Sequence, residues 1–234
     1  MNPMKRSIVI GAIVVVLVAA IGLAVQRALT KPPDVPALKL ITSVDRGIDA
    51  VHKKQIEDKI SEIKTKIGDR HDIKDIELWL GLGTYQNLLG DLAAARATFE
   101  TTLTLNQLNY VAWGDLADTL AEMHDLPGAE RAYRKAIDES NGLESFYTKY
   151  ASFLHDHYRA RTKDYENLLL EAVHADGQTP GLIESLAQFY EDEGRLAEAK
   201  SHFELLVQLA PDNVGAKQDL ARVTQELLKQ QAGQ

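Results

Sequence analysis

The sequence predicts an all-α chain, and three observations predict it. From Leu40 onward, apolar side chains recur at three- and four-residue spacing, the mark of helices with one buried stripe. A longer interval is laid over that one: Trp79 and Trp113, Leu82 and Leu116, Ala95 and Ala129, and Phe99 and Tyr133 each stand 34 residues apart. Such a period signals a repeat architecture, in which each unit buries its apolar face by stacking on the next. Third, residues 7–25 carry no charge at all, which predicts a helix in lipid.

That apolar segment comes first in the chain. At the helical rise per residue it spans roughly 28 Å, close to the hydrocarbon thickness of a bilayer. A cleaved signal peptide shares the basic start at Lys5 and Arg6, but its apolar region runs to only about 7–15 residues. Residues 1–29 are therefore expected to be an N-terminal transmembrane anchor. Lys5 and Arg6 favour a cytoplasmic N-terminus against the opposing pull of Arg27 and Lys31. The expected localisation is a single-pass membrane protein with its soluble part on the extracytoplasmic, periplasmic-type side.

Residues 30–39 hold Pro32, Pro33 and Pro36. Proline fixes φ and disfavours helix, so a short extended linker is expected. Beyond it, Ile41, Val44, Ile48 and Val51 form one apolar stripe, and Ile56, Ile60, Ile63 and Ile67 a second. The stripes lose phase between His52 and Gln55, and Gly68 offers a stop. Residues 40–75 are thus expected to form a helical hairpin that caps the repeats. A dimerising coiled coil is the alternative.

The repeats divide at 76–109, 110–143, 144–179 and 180–213. The first carries Trp79, Leu82, Gly83, Gly90, Ala95 and Phe99, with Gln86 where an aromatic is expected. The second has Trp113, Leu116, Ala117, Leu120, Ala129, Tyr133 and Ala136. The fourth has Leu186, Ala187, Tyr190, Gly194, Ala199, Phe203 and Pro211. In the third, Tyr147, Tyr150, Ala151 and Leu154 fit the first helix. Register at Leu169 and Ala172 then needs two extra residues between His155 and Lys163, and Tyr165 replaces a small residue. A longer turn and a wider crossing are expected there. The small residues let paired helices approach closely, and the large rings fill the space between successive pairs. Residues 214–234 have a polar outer face and no partner helix, as a solvating end cap requires.

Residues 76–213 resemble the tetratricopeptide repeat (TPR) family, whose unit follows the pattern W-x2-L-G-x2-Y…A-x3-F…P. The resemblance implies a solenoid of helix pairs that binds proteins along a wall formed by the first helix of each pair. By position in the unit, that wall would hold Glu77, Leu80, Thr84, Asn87 and Leu88. Val111, Asp115, Asp118 and Glu122 follow from the second unit. The third gives Thr148, Lys149, Ser152, His155 and Asp156, and the fourth Glu184, Gln188, Glu191 and Asp192. Chaperone-binding members clamp a C-terminal carboxylate with Lys, Arg and Asn. Here only Lys149 is available for that, so the expected partner is instead a basic or amphipathic protein segment.

Composition and motifs exclude much else. The chain has 34 Asp and Glu against 26 Lys and Arg. Residues 40–234 keep 21 basic and 33 acidic side chains, −12 in all. That field repels phosphate backbones, so nucleic acid is not an expected partner. There is no cysteine, which removes disulfides and thiolate metal sites. GxxxxGK[ST], HExxH and GxSxG are absent. His155, Asp156 and His157 are the nearest approach to a metal set, and two histidines two apart on a helix diverge. No catalytic residue, metal or cofactor is expected. The expected function is a membrane-anchored TPR scaffold. It would hold client proteins during envelope assembly or cytochrome c maturation, as the layout of anchored TPR subunits suggests. The alternative is an oligomerising structural component of a secretion or pilus assembly.

Overall fold

The computed structural model describes residues 39–68 and 72–232. The expected anchor, 1–29, and the expected linker, 30–39, except for its last residue, Lys39, lie outside the described residues. Among the described residues, no helix is long and apolar enough to cross a membrane. The chain divides into Met1–Lys39 and Leu40–Gln234, and every described helix belongs to the second unit.

Helix α1, Ala50–Ile67, is followed by a 3-10 turn at Ile73–Asp75. Four antiparallel pairs come next: α2 (Ile76–Leu88) with α3 (Leu92–Leu105), α4 (Tyr110–Glu122) with α5 (Leu126–Glu139), α6 (Glu144–His157) with α7 (Thr162–Asp176), and α8 (Pro180–Asp192) with α9 (Leu196–Leu209). Helix α10, Val214–Ala232, ends the described chain. No strand occurs among the described residues. The helix starts follow local chemistry. Asp49, Asp91, Asn109, Asp125 and Thr179 each accept from backbone amides of the first turn of α1, α3, α4, α5 and α8, each cap contributing about 0.5–2 kcal/mol.

Within a pair, the small residues meet as the sequence predicts. Ala95, Ala117, Ala129, Ala151, Ala187 and Ala199 are all buried. At Gly83 the approach is closer still: a Cβ there would lie 2.5 Å from the Phe99 ring. One apolar core runs from Ala95 through Phe99, Tyr133, Tyr150 and Phe203 to Val223 of α10. A smaller cluster joins Ile63 and Ile67 of α1 to Leu82, with Trp79 packed on it. Thus α1 covers the free face of the first pair. Phe99 and Phe203 are fully buried, but Trp79 and Trp113 are only half-buried. They cover the core from its edge instead of filling it, and the Trp113 Nε1–H donates to the Gln107 carbonyl at 2.8 Å.

One place differs from expectation, and two irregularities visible in the sequence take a definite form. The first half of the expected N-terminal hairpin is not a helix: residues 40–49 form no regular element, and Ile41, Thr42 and Val44 bond through their backbone to the repeats. Gly47 has φ +61, and its N–H donates to the Asp45 carboxylate, a turn that competes with helix, and Asp49 then starts α1. Second, Gln86, in place of an aromatic, is buried and accepts from Thr98 Oγ1 at 2.6 Å. A satisfied polar pair takes the volume of a ring. Third, the long third unit spends its extra residues at one point. Its turn spans 158–161, against 89–91, 123–125 and 193–195 elsewhere, and α6 is one residue longer than the other first helices. The shorter turns pass through left-handed Gly90, His124 and Gly194, whereas Tyr158 has φ −137.

Gly to Ala inside a helix ordinarily stabilises by about 1 kcal/mol. At Gly83 the collision with Phe99 reverses the sign, and Gly83→Ala should lower stability by about 1–3 kcal/mol in urea denaturation. Gln86→Leu and Thr98→Val should each cost about 1–3 kcal/mol by orphaning the partner, whereas the double variant should recover most of that loss. Additive losses in the double-mutant cycle would refute the pairing.

Candidate functional site

Successive first helices touch along one side of the stack, because each unit repeats the placement of the one before. Asn87 of α2 donates through Nδ2 to Thr119 Oγ1 of α4 at 3.0 Å. Lys149 of α6 donates to Asp118 of α4 at 2.6 Å. This wall carries the residues that the repeat positions predict, and the structure separates them into three groups.

The first group is occupied by the chain itself. Asp118 accepts from Lys149 on one oxygen and from the Tyr133 hydroxyl on the other, at 2.6 Å each. Glu122 pairs with Arg46 at 2.7 Å. Glu191 pairs with Arg222 of α10. Asn87 accepts from Arg46 through its carbonyl and its side-chain oxygen. Three acids of the expected wall are therefore neutralised by cations 31 residues or more away in sequence. Thr84 turns its hydroxyl back to the Leu80 carbonyl of its own helix, and Leu80 packs on the core.

The second group is open. Glu77, Leu88 and Val111 are exposed, and Thr148 and Glu184 are half-exposed, while Lys149 is exposed but engaged by Asp118. Leu88 and Val111 are apolar at 48% and 41% exposure, enough to offer contact area to a partner. Asp115 is half-buried, and loss of solvent raises its carboxyl, with Lys149 drawing it down and Asp118 adding repulsion.

The third group surrounds an open notch of about 570 Å³ between the third and fourth pairs. Ser152, His155 and Asp156 come from α6, Arg159 from the long turn, and Gln188, Asp192 and Glu193 from the end of α8. Tyr165 and Phe189 form its apolar floor, their ring centroids 5.1 Å apart. The notch lies at the irregular point of the repeat. Tyr165 stands where a small residue would let α7 close, and the longer turn carries α6 past its usual end. Asp192 and Glu193 make no ion pair among the described residues, although Arg159 lines the same notch. Arg161 is not free to serve, since it holds Glu130 at 2.8 Å and Asp164 at 2.6 Å.

Sequence reasoning missed a further set that joins the pairs. Glu130 of α5 accepts from Tyr150 and Arg161 of the third unit. Glu166 of α7 accepts from Tyr190 and Arg195 of the fourth. Glu171 accepts from Tyr147 and Arg134. Guanidinium groups of Arg134 and Arg195 also lie over the Tyr150 and Tyr190 rings, at 5.0 and 4.4 Å. The signal lay in tyrosine, arginine and glutamate at inter-unit spacing, which a search for apolar repeats passes over. His155 and Asp156 touch through Nδ1 and Oδ1 at 3.2 Å, but His157 does not join them: all three are exposed, and the His157 ring turns toward Phe153. Among the described residues, no three His, Asp or Glu side chains are placed to hold a metal ion.

The tyrosines carry a pH signature. Burial, then Asp118, pushes the Tyr133 hydroxyl far above its usual range. Burial, then Glu130, does the same for Tyr150. Burial and Glu171 push Tyr147 up to about 12. In the unfolded chain all three ionise near pKa 10. Folded values above unfolded ones mean that this stability is complete below about pH 10 and is lost as pH rises toward the folded values. Near-ultraviolet titration should show at least these three tyrosines protonated at about pH 11. Full ionisation there without unfolding would contradict the network.

The model of the tetratricopeptide repeat family matches residues 182–213, which lie within α8, α9 and the turn after them. Comparison with curated proteins gives no match. Among solved structures, MamA is 16% identical, with a TM-score of 0.57 over 74% of this chain and 98% of that one. A tetratricopeptide repeat protein of Parabacteroides merdae is 15% identical, with a TM-score of 0.56 over 74% and 67%. The pilF protein of Pseudomonas aeruginosa is 20% identical, with a TM-score of 0.52 over 66% and 69%. At such identities the likeness is one of fold. One unit, residues 182–213, thus matches the tetratricopeptide repeat by sequence, and the stack of helix pairs is similar in fold to solved tetratricopeptide-repeat structures.

Proposed function

We propose that this protein is a non-catalytic scaffold that binds a basic or amphipathic segment of another protein along the wall of α4, α6 and α8. The observation that carries this reading is the notch between the third and fourth pairs. At the second and third pairs, and again at α10, wall acids already have a cation of the chain beside them. At the notch, Asp192 and Glu193 stand open beside an aromatic floor. A lysine or arginine of a partner would supply the missing charge, and its aliphatic stem would lie on Tyr165 and Phe189. Leu88 and Val111 would add apolar contact further along.

The uncharged segment 7–25 extends the proposal: the scaffold is tethered to a membrane and works on its extracytoplasmic side. There it would hold client chains during envelope assembly or cytochrome c maturation. The packing of α1 disfavours an oligomerising role for residues 40–68, because Ile60, Ile63 and Ile67 already lie on the first pair.

Fluorescence anisotropy with basic, neutral and acidic amphipathic peptides tests the reading. Basic peptides should bind best, more weakly as salt rises. Asp192→Lys with Glu193→Lys should weaken them by about tenfold or more, the scale of losing close charge pairs. Binding that ignores peptide charge, or survives the double reversal, would overturn it.

A further inference from the structure

The extended segment at residues 40–46 is bound to the repeats as a peptide would be. The Ile41 N–H donates to the Met123 carbonyl at 3.0 Å, and the Val44 N–H to the Gly90 carbonyl at 2.9 Å. The Ala93 N–H donates to the Thr42 carbonyl at 3.0 Å. The strap thus spans two neighbouring inter-helix turns, 89–91 and 123–125. These turns offer free backbone groups at helix ends, which a passing extended chain can satisfy. Ile41 and Val44 are half-buried against the repeats, while Thr42 and Ser43 face solvent. Arg46 then closes the contact: its guanidinium donates to the Asn87 carbonyl and Oδ1 and pairs with Glu122. The approach is close enough that a Cβ at Gly90 would collide with the Val44 carbonyl oxygen.

Such recognition has a definable content. Backbone bonds hold any extended chain, two apolar residues three apart give shape, and an arginine two residues later reads an amide and a carboxylate. Glu122 and Asn87 also belong to the wall of first helices, so the strap withdraws them from any partner. We propose that the turns 89–91 and 123–125, with Asn87 and Glu122, form a second binding site, distinct from the notch. It takes an extended protein segment of the pattern apolar-x-x-apolar-x-Arg and is held closed by the chain's own residues 40–46. A tethered strap acts at an effective concentration in the millimolar range, so free peptides of this pattern are excluded. A partner that also gains contacts along the wall can displace it.

The test uses the full-length chain. Val44→Asp with Arg46→Glu places carboxylates against the Gly90 carbonyl and Glu122, and Arg46→Ala is a milder opening. The probe is a fluorescein-labelled peptide of residues 39–48, read by anisotropy. Amide exchange at Ala93 reports whether the strap is seated, since its N–H has the strap carbonyl as partner. The double variant should exchange more than about tenfold faster at Ala93 and should bind the peptide at least about tenfold more tightly than the native chain. The Arg46→Ala chain should fall between them. A peptide with Glu in place of the arginine should bind neither. Unchanged exchange at Ala93 in the double variant overturns the proposal, because the strap is then not held by these contacts. Faster exchange without peptide binding overturns it too, because the uncovered surface is then not a peptide site. Neither result bears on the basic peptides expected at the notch.

Discussion

The close approach of the two helices in each pair is the constraint on which the rest depends. Backbone meets ring at Gly83 and Phe99, with no room for a methyl group between them. Alanines do the same work at Ala117 with Ala129 and at Ala187 with Ala199, all without solvent exposure. Because the helices of a pair lie so near, the aromatic side chains are driven outward into the space between pairs. There Tyr133, Tyr150 and Phe153 pack ring on ring at 5.2–6.1 Å. A pair alone would leave those rings in water, so the pair and the stack stabilise one another.

Polar groups refine what apolar packing begins. Each buried tyrosine must satisfy its hydroxyl, and here the partner is a carboxylate on a neighbouring helix. Glu130 and Glu166 each receive one tyrosine and one arginine from the next unit along the chain. Such groups are partly solvated, so their value lies less in raw stability than in fixing how one unit is set against the next. The same logic sets charge on the wall. Three of the acids that would read as a continuous negative surface, Glu122, Asp118 and Glu191, are held by Arg46, Lys149 and Arg222.

Where the third unit departs from the period, this self-pairing lapses. Tyr165 cannot close against α6 as an alanine would, and the longer turn leaves a notch instead of a contact. A local failure of packing thereby creates a place where carboxylates and an aromatic floor stand together in the open. At the other end of the stack, residues 40–46 show that exposed turn backbones on this scaffold can be read by an extended chain.

Much of this architecture was legible in the sequence. The 34-residue interval and the small residues within it specify the helix pairs, because close packing has a local alphabet of alanine, glycine and aromatic rings. The irregular third unit was legible for the same reason: a broken register must be absorbed somewhere, and His155 to Lys163 was the available stretch. Gln86 was visible as a departure, but its buried bond to Thr98 was not, since that depends on two helices meeting. The non-helical course of residues 40–46 was hidden by an apolar stripe that fits a helix as well as a half-buried strap. Only tertiary partners, Met123, Gly90 and Ala93, decide between them. The wall was legible as a set of positions but not as a charge surface. Asp118, Glu122 and Glu191 read as free acids in sequence. They lose that character because cations far along the chain come to rest beside them, and charge pairing over such distances is a property of the fold alone.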